Sequence, residues 1–115
     1  MAIDSFRSLA FQDRTRDRIP EIIQNAGKQC DIETLSDADY RQALRAKLIE
    51  EATEAARASD DRLETEIADL YEVIDAIVTA YNLDRADILA TQTQKRRERG
   101  GFSDKIQLLR VRESS

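Results

Sequence analysis

Apolar side chains recur every three or four positions along most of the chain, which is the spacing of one face of an α-helix. The clearest repeat lies between residues 61 and 81. It consists of Leu63, Ile67, Leu70, Ile74, Ile77, Val78 and Tyr81. Tyr71 and Val73 widen this apolar stripe, so we expect a helix that is buried on more than one side.

A second helix is predicted from Asp37 to about Ala58. Ser36 is a typical N-cap residue, and Asp39 follows three positions later as a shortened capping box. Apolar and small residues continue at helical spacing: Tyr40, Leu44, Leu48, Ala52, Ala55 and Ala56. The segment Ser59-Asp60-Asp61 is expected to end this helix and begin the next.

A short helix is predicted near the N-terminus, from Arg16 or Asp17 to Ala26. Pro20 suits its first turn, where the missing N–H costs little, and Gly27 suits its end. Its buried face would consist of Ile19, Ile22 and Ile23.

A further helix is predicted to start at Asp84, with Asp87 as a second capping-box residue, and to run to about Glu98. The pair Gly100-Gly101 breaks it. Short connections between one short and three longer helices predict an all-α helical bundle. At 115 residues the chain is expected to form a single domain. We expect a flexible or partner-dependent arm at 1–12 and a tail at 103–115, in which Ile106, Leu108 and Val111 are able to pack as an extended segment.

The composition of the chain excludes several kinds of catalytic and metal site, and it also bears on the location of the protein. The chain has no histidine and one cysteine, Cys30, so a histidine-based catalytic site, a zinc site of the usual kind and an internal disulfide are excluded. Cys30 is expected to be an ordinary loop residue. Residues 1–115 contain no apolar run of membrane-spanning length and no signal-peptide core. A cytoplasmic location without membrane association is the resulting expectation.

Charge is distributed unevenly. Residues 31–76 hold 14 acids and 5 bases, whereas residues 85–115 hold 4 acids and 8 bases, within a net charge of −5. A nucleic-acid-binding protein usually has one broad basic face, so we expect no nucleic-acid partner. The distribution suits a site that holds cations and also binds an anionic ligand.

Two acidic pairs carry the candidate chemistry, Glu51-x-x-Glu54 and Glu66-x-x-Asp69. Residues three apart share a helix face, so an antiparallel packing of the two long helices would bring four carboxylates together. Such a group needs a neutralising cation, and oxygen ligands suit Mg²⁺, Mn²⁺ or Ca²⁺. Acidic residues on a helix are more commonly a solvated face. Here both pairs adjoin apolar positions, and Glu50 adds a fifth carboxylate.

These residues resemble a known signature. Glu50-Glu51-Ala52-Thr53-Glu54 with Glu66-Ile67-Ala68-Asp69 is similar to the EExxE…ExxD motif of the all-α nucleoside triphosphate pyrophosphatases, the MazG-like superfamily, which includes phosphoribosyl-ATP pyrophosphohydrolase. The segments 16–23, 47–51 and 99–102 resemble the RDKIPEII, KLxEE and RGGF motifs of a compact single-domain branch. The resemblance thus covers residues 16–102.

The resemblance implies Mg²⁺-dependent hydrolysis of a nucleoside triphosphate, or a related nucleotide, to a monophosphate and pyrophosphate. It implies metal ligation by Glu51, Glu54, Glu66 and Asp69, with Glu50, Glu51 and Glu54 in catalysis. Phosphate binding would fall to Arg16, Arg18, Lys47, Lys95, Arg96 and Arg99. Removal of noncanonical nucleotides is the usual role in this superfamily, and a homodimer or higher homo-oligomer is expected.

Two alternatives stay open at this point. One is a pyrophosphohydrolase for a single metabolite, such as the histidine-pathway enzyme of the same superfamily. The other is a helical module that binds a nucleotide or a partner without catalysis. The identity of the nucleobase does not follow from the residues, because only three Phe and three Tyr are present.

Overall fold

The computed structural model describes residues 15–114, and these residues form an all-helical structure without strands. There are four described helices: α1 (Ile19–Asn25), α2 (Asp37–Arg57), α3 (Asp60–Ala80) and α4 (Arg85–Arg99). One short helix and three longer ones were expected, so the all-α fold class is confirmed. The predicted N-terminal arm, 1–12, lies outside the described residues. No helix in the described part of the chain is long and apolar enough to cross a bilayer.

Local groups fix three helix ends close to the predicted positions. The Ser36 hydroxyl accepts a hydrogen bond from the Asp39 N–H at 3.2 Å, which confirms the predicted start of α2. The Asp84 carboxylate caps α4 as expected. Its hydrogen-bond donor is the N–H of Ala86, at 2.8 Å, whereas a capping box would use the N–H of Asp87. Gly100 ends α4 with φ at 82°, a left-handed conformation that is unfavourable for residues with a Cβ.

The prediction for the start of α1 was two to three residues too early, because the helix begins at Ile19. Arg18 occupies the N-cap position without any side-chain capping bond. Arginine has no acceptor oxygen for the first free N–H groups, so it does not extend the helix backwards. Pro20 lies in the first turn, as expected.

The described residues divide into two compact units, with the division between residues 77 and 78. The first unit includes α1, α2 and most of α3. Only Ala58 and Ser59 connect α2 to α3, and such short connections join antiparallel neighbouring helices. The Ser59 hydroxyl donates to Asp61 Oδ1 at 2.7 Å and lowers the pKa of that carboxyl, which stabilises this turn.

The apolar core of the described chain is small. Its buried apolar residues are Ile19, Leu44 and Val73, one each from α1, α2 and α3. A single chain leaves part of the wide apolar stripe of α3 uncovered, since Tyr71 is 66% exposed and Ile74 is also exposed. The tail does not pack either, because Ile106, Leu108 and Val111 are all largely exposed.

Candidate functional site

Three of the predicted metal ligands meet between α2 and α3. Carboxylate oxygens of Glu51, Glu66 and Asp69 all lie within 4.8 Å of one another, and we call these three residues the carboxylate cluster. Glu51 is six residues before the end of α2, and Glu66 is six residues after the start of α3. Because Glu51 and Glu66 are equally far from the turn at Ala58 and Ser59, they lie opposite each other when α2 and α3 pack antiparallel. Asp69 lies one further turn along α3, on the same face as Glu66.

The carboxylate cluster is largely shielded from water. Glu51 is only 4% exposed, and Glu66 and Asp69 are half-buried. Taking a carboxylate out of water is unfavourable unless a hydrogen-bonded cation or a metal compensates. The cluster therefore requires positive charge nearby.

Lys47 supplies that charge to Glu51. Its Nζ lies 3.0 Å from Glu51 Oε1 and 3.2 Å from Glu50 Oε1, and the side chain is buried. Burial by itself lowers the pKa of Lys47, but the hydrogen bonds to Glu51 and Glu50 and their negative charges outweigh it and raise the pKa above 10.5. Lys47 is thus a charged group held inside the fold.

Two arginines neutralise the other members of the cluster. Arg16 Nη2 donates to Asp69 Oδ1 at 3.0 Å, and Arg62 Nη2 lies 3.6 Å from Glu66 Oε1. Each carboxylate of the cluster consequently has a cationic side chain as a partner. Arg62 was not among the predicted site residues, although its position four residues before Glu66 on one helix could have indicated the pair.

The remaining predicted residues of the first unit lie around the cluster in different ways. Glu54 is half-buried, but it is not one of the three residues whose oxygens converge. Glu50 is half-buried and accepts a hydrogen bond from Lys47. Arg18 is exposed and forms an ion pair with Glu21 at 3.0 Å, so the structure directs it away from the cluster's carboxylates.

Three predicted phosphate-binding residues line a pocket in the second unit. Lys95, Arg96 and Arg99 lie at spacings of three and four along α4, and the pocket continues through Gly100, Gly101, Phe102 and Ser103. We call this the basic pocket. Among the described residues, none of its three cations takes part in an ion pair. Like charges at this spacing repel, so an anionic ligand would stabilise the arrangement.

Comparison with known proteins gives one informative match. An uncharacterised protein of Mycolicibacterium smegmatis (strain ATCC 700084 / mc(2)155) is 55% identical over 47 residues. These residues are 41% of this chain and 47% of that protein, so the match spans about half the length of the relative. The relative has no described activity. No family model and no solved structure matches the chain.

Proposed function

We propose that the chain is a Mg²⁺-dependent nucleotide pyrophosphohydrolase. It would split a nucleoside triphosphate, or a related nucleotide, between the α- and β-phosphates and release a monophosphate and pyrophosphate, as a nucleotide-pool house-cleaning enzyme. The observation that supports this proposal most directly is the carboxylate cluster, in which Glu51, Glu66 and Asp69 converge. The resemblance of these same residues to the EExxE…ExxD motif supplies the reaction type.

The donor set fits Mg²⁺, with Mn²⁺ as a substitute. All three donors are carboxylate oxygens, which hard cations prefer. Glu51, Glu66 and Asp69, whose carboxylate oxygens lie within 4.8 Å of one another, would hold the ion. When bound, the ion would supply neutralisation of phosphate charge and a more acidic water.

The chain's own residues would position this chemistry. Lys47 holds Glu50 and Glu51 in fixed orientations, because its ammonium group contacts both carboxylates. Glu50, whose side chain is the more exposed of the two, would accept a hydrogen bond from the attacking water. The cations Lys95, Arg96 and Arg99 would bind phosphate oxygens through charge-assisted hydrogen bonds.

Product analysis tests the proposal. The protein is incubated with Mg²⁺ and a panel of canonical and noncanonical nucleotides, and pyrophosphate and monophosphate are measured with and without EDTA. Hydrolysis in heavy-oxygen water should place the label in the monophosphate if water attacks the α-phosphorus. Release of orthophosphate with a nucleoside diphosphate would contradict the proposed bond. A rate confined to phosphoribosyl-ATP would favour the single-metabolite alternative.

A non-enzymatic helical module is the second candidate, and a specific observation favours it. Lys47, Arg62 and Arg16 already neutralise the three carboxylates, so the cluster is able to stabilise α2 against α3 without a metal. In that case Mg²⁺ would have to displace these cations and would bind weakly. Calorimetric titration with Mg²⁺ and Mn²⁺ separates the two candidates, because only the enzyme requires metal at the cluster.

We also propose that the working form is a homo-oligomer, most simply a dimer. Tyr71 and Ile74 lie three positions apart on α3 and are both exposed in the single chain. Exposed apolar side chains that share a helix face are a common site of protein association. A second copy is the partner whose matching surface is guaranteed to be present.

A further inference from the structure

Phe102 is the most exposed large apolar side chain of the described chain. Its side chain is 99% exposed, so it contributes nothing to the packing of its own unit. An aromatic ring in water forgoes a favourable burial energy that most proteins use. A ring at this position therefore suggests a ligand or partner that covers it.

The position of Phe102 is fixed by the end of α4. Gly100 takes φ at 82° and donates its N–H to the Arg96 carbonyl oxygen at 2.8 Å, so the chain turns at once after Arg99. Phe102 follows two residues later and lines the basic pocket together with Lys95, Arg96 and Arg99. The pocket thus has an aromatic surface next to three cations.

These neighbours define a ligand class. The cations suit an anion with several phosphate oxygens, and the ring offers a flat surface for another aromatic system. Inorganic phosphates satisfy only the first requirement. We propose that Phe102 stacks on the base of a nucleotide whose phosphates are bound by Lys95, Arg96 and Arg99; the choice of a nucleotide rests on the proposed function.

Stacking has a consequence for specificity. Every nucleobase has a π-face, so an aromatic ring binds different bases with similar strength when no hydrogen bonds select among them. Ile88 adds an apolar contact to the basic pocket, whereas Thr91, Gln92 and Ser103, which also line it, carry polar groups that can hydrogen-bond a base. Stacking on Phe102 should therefore contribute similar affinity to purine and pyrimidine nucleotides, and a preference among bases would come from those polar groups.

A tryptophan in place of Phe102 provides a direct measurement. The chain has no Trp, so Phe102→Trp introduces a single indole fluorophore at the site. Titration of this variant with a nucleoside triphosphate in EDTA, which prevents turnover, should quench its emission. Tripolyphosphate is the control probe, because it carries the phosphates without a base and should bind with little quenching.

A second variant measures the contribution of the ring. Phe102→Ala should weaken nucleotide binding by about fivefold or more and leave the affinity for tripolyphosphate unchanged. Leu109→Ala is the matched control, since Leu109 is a similarly exposed apolar residue that does not line the basic pocket. Equal losses for nucleotide and tripolyphosphate in Phe102→Ala would overturn the proposal.

Two other outcomes would also overturn it. Indole emission from the Phe102→Trp variant that is blue-shifted before any ligand is added, and that depends on protein concentration, would show that a second copy covers the ring. Tighter binding of a single-stranded oligonucleotide, with a steep salt dependence, would assign the pocket to nucleic acid. Quenching by nucleotide without any hydrolysis in Mg²⁺ would instead support this inference and refute the proposed reaction, so the two failures are distinguishable.

Discussion

The guanidinium of Arg16 donates a hydrogen bond to Asp69 Oδ1 at 3.0 Å, although 53 positions separate the two residues in the sequence. The resemblance implies phosphate binding for Arg16 and metal binding for Asp69. In the structure they neutralise each other. A metal ion that takes Asp69 as a ligand has to compete with Arg16, which would then be released for an anionic ligand.

This competition predicts that Arg16→Gln binds Mg²⁺ more tightly than the unaltered protein does. A half-exposed ion pair contributes about 0.2–1 kcal/mol, so the gain in affinity should be at most about fivefold. Calorimetric titration without nucleotide measures it. Arg18→Gln is the matched control, because Arg18 pairs with Glu21 outside the carboxylate cluster. Equal affinities for all three proteins would mean that Asp69 does not bind the ion.

Removal of Lys47 should destabilise the fold and make stability dependent on metal. Lys47→Met leaves the buried Glu51 without the cation that Nζ supplies at 3.0 Å. Breaking a buried ion pair on one side typically costs about 3 kcal/mol, which corresponds to a drop in Tm of about 10 °C or more for a small domain. The exposed Lys28→Met serves as the control.

Mg²⁺ at one hundred times its Kd should return about 2.7 kcal/mol to a protein that binds it. Melting curves of Lys47→Met in EDTA and in excess Mg²⁺ test this recovery. If the two curves coincide, the cluster is a structural ion network. If Mg²⁺ restores the melting temperature, the metal occupies the place of the lysine charge.

Neutralising members of the carboxylate cluster should abolish turnover without unfolding the protein. Glu66→Gln and Asp69→Asn keep the side-chain size and remove a metal ligand. Mutation of a residue that only hydrogen-bonds to a metal ligand typically lowers activity roughly 10–100-fold, so turnover should fall by more than that here. Glu64→Gln and Glu72→Gln, which are exposed on the same helix, are the controls. Comparable losses in the controls would show that the assignment of the helix faces is wrong.

Glu54 needs a test of its own, because it does not converge with the other three carboxylates. Glu54→Gln should abolish turnover if metal binding draws this side chain in as a fourth ligand. Near-normal activity would limit the ligand set to Glu51, Glu66 and Asp69.

The basic pocket should bind the phosphates of the nucleotide substrate. Arg99→Ala or Lys95→Ala removes a charge-assisted hydrogen bond, so KM for the nucleotide should rise about tenfold or more while Mg²⁺ affinity stays nearly constant. Arg97→Ala is the control, since Arg97 does not line the pocket. Gel-shift titration with single-stranded and duplex DNA should show no complex. A shift with steep salt dependence and an unchanged KM would point to nucleic acid instead.

Association of the chain should depend on the exposed apolar face of α3. Light scattering at tens of micromolar is expected to show a dimer or a higher oligomer, as interfaces of ordinary size commonly hold at that concentration. Tyr71→Glu should shift the distribution towards monomer, whereas Thr65→Glu, at an exposed polar position of the same helix, should not. A monomer in the unaltered protein would contradict the proposal.

The sequence by itself determined the helices and much of the candidate site. Capping by Ser36 and Asp84 and the left-handed Gly100 are local effects, so helix ends were predicted to within a few residues. The facing positions of Glu51 and Glu66 also followed from local rules, because a short turn allows only an antiparallel return.

Only the tertiary structure decided which groups neutralise the acids and which apolar residues are covered. Arg16, which precedes α1, contacts Asp69 of α3 across 53 positions of sequence, and no local pattern encodes such a contact. The same holds for α3, whose wide apolar stripe predicted burial that a single chain does not provide to Tyr71. Periodicity identifies the side chains that favour burial, whereas burial itself depends on the number of neighbouring helices that are present.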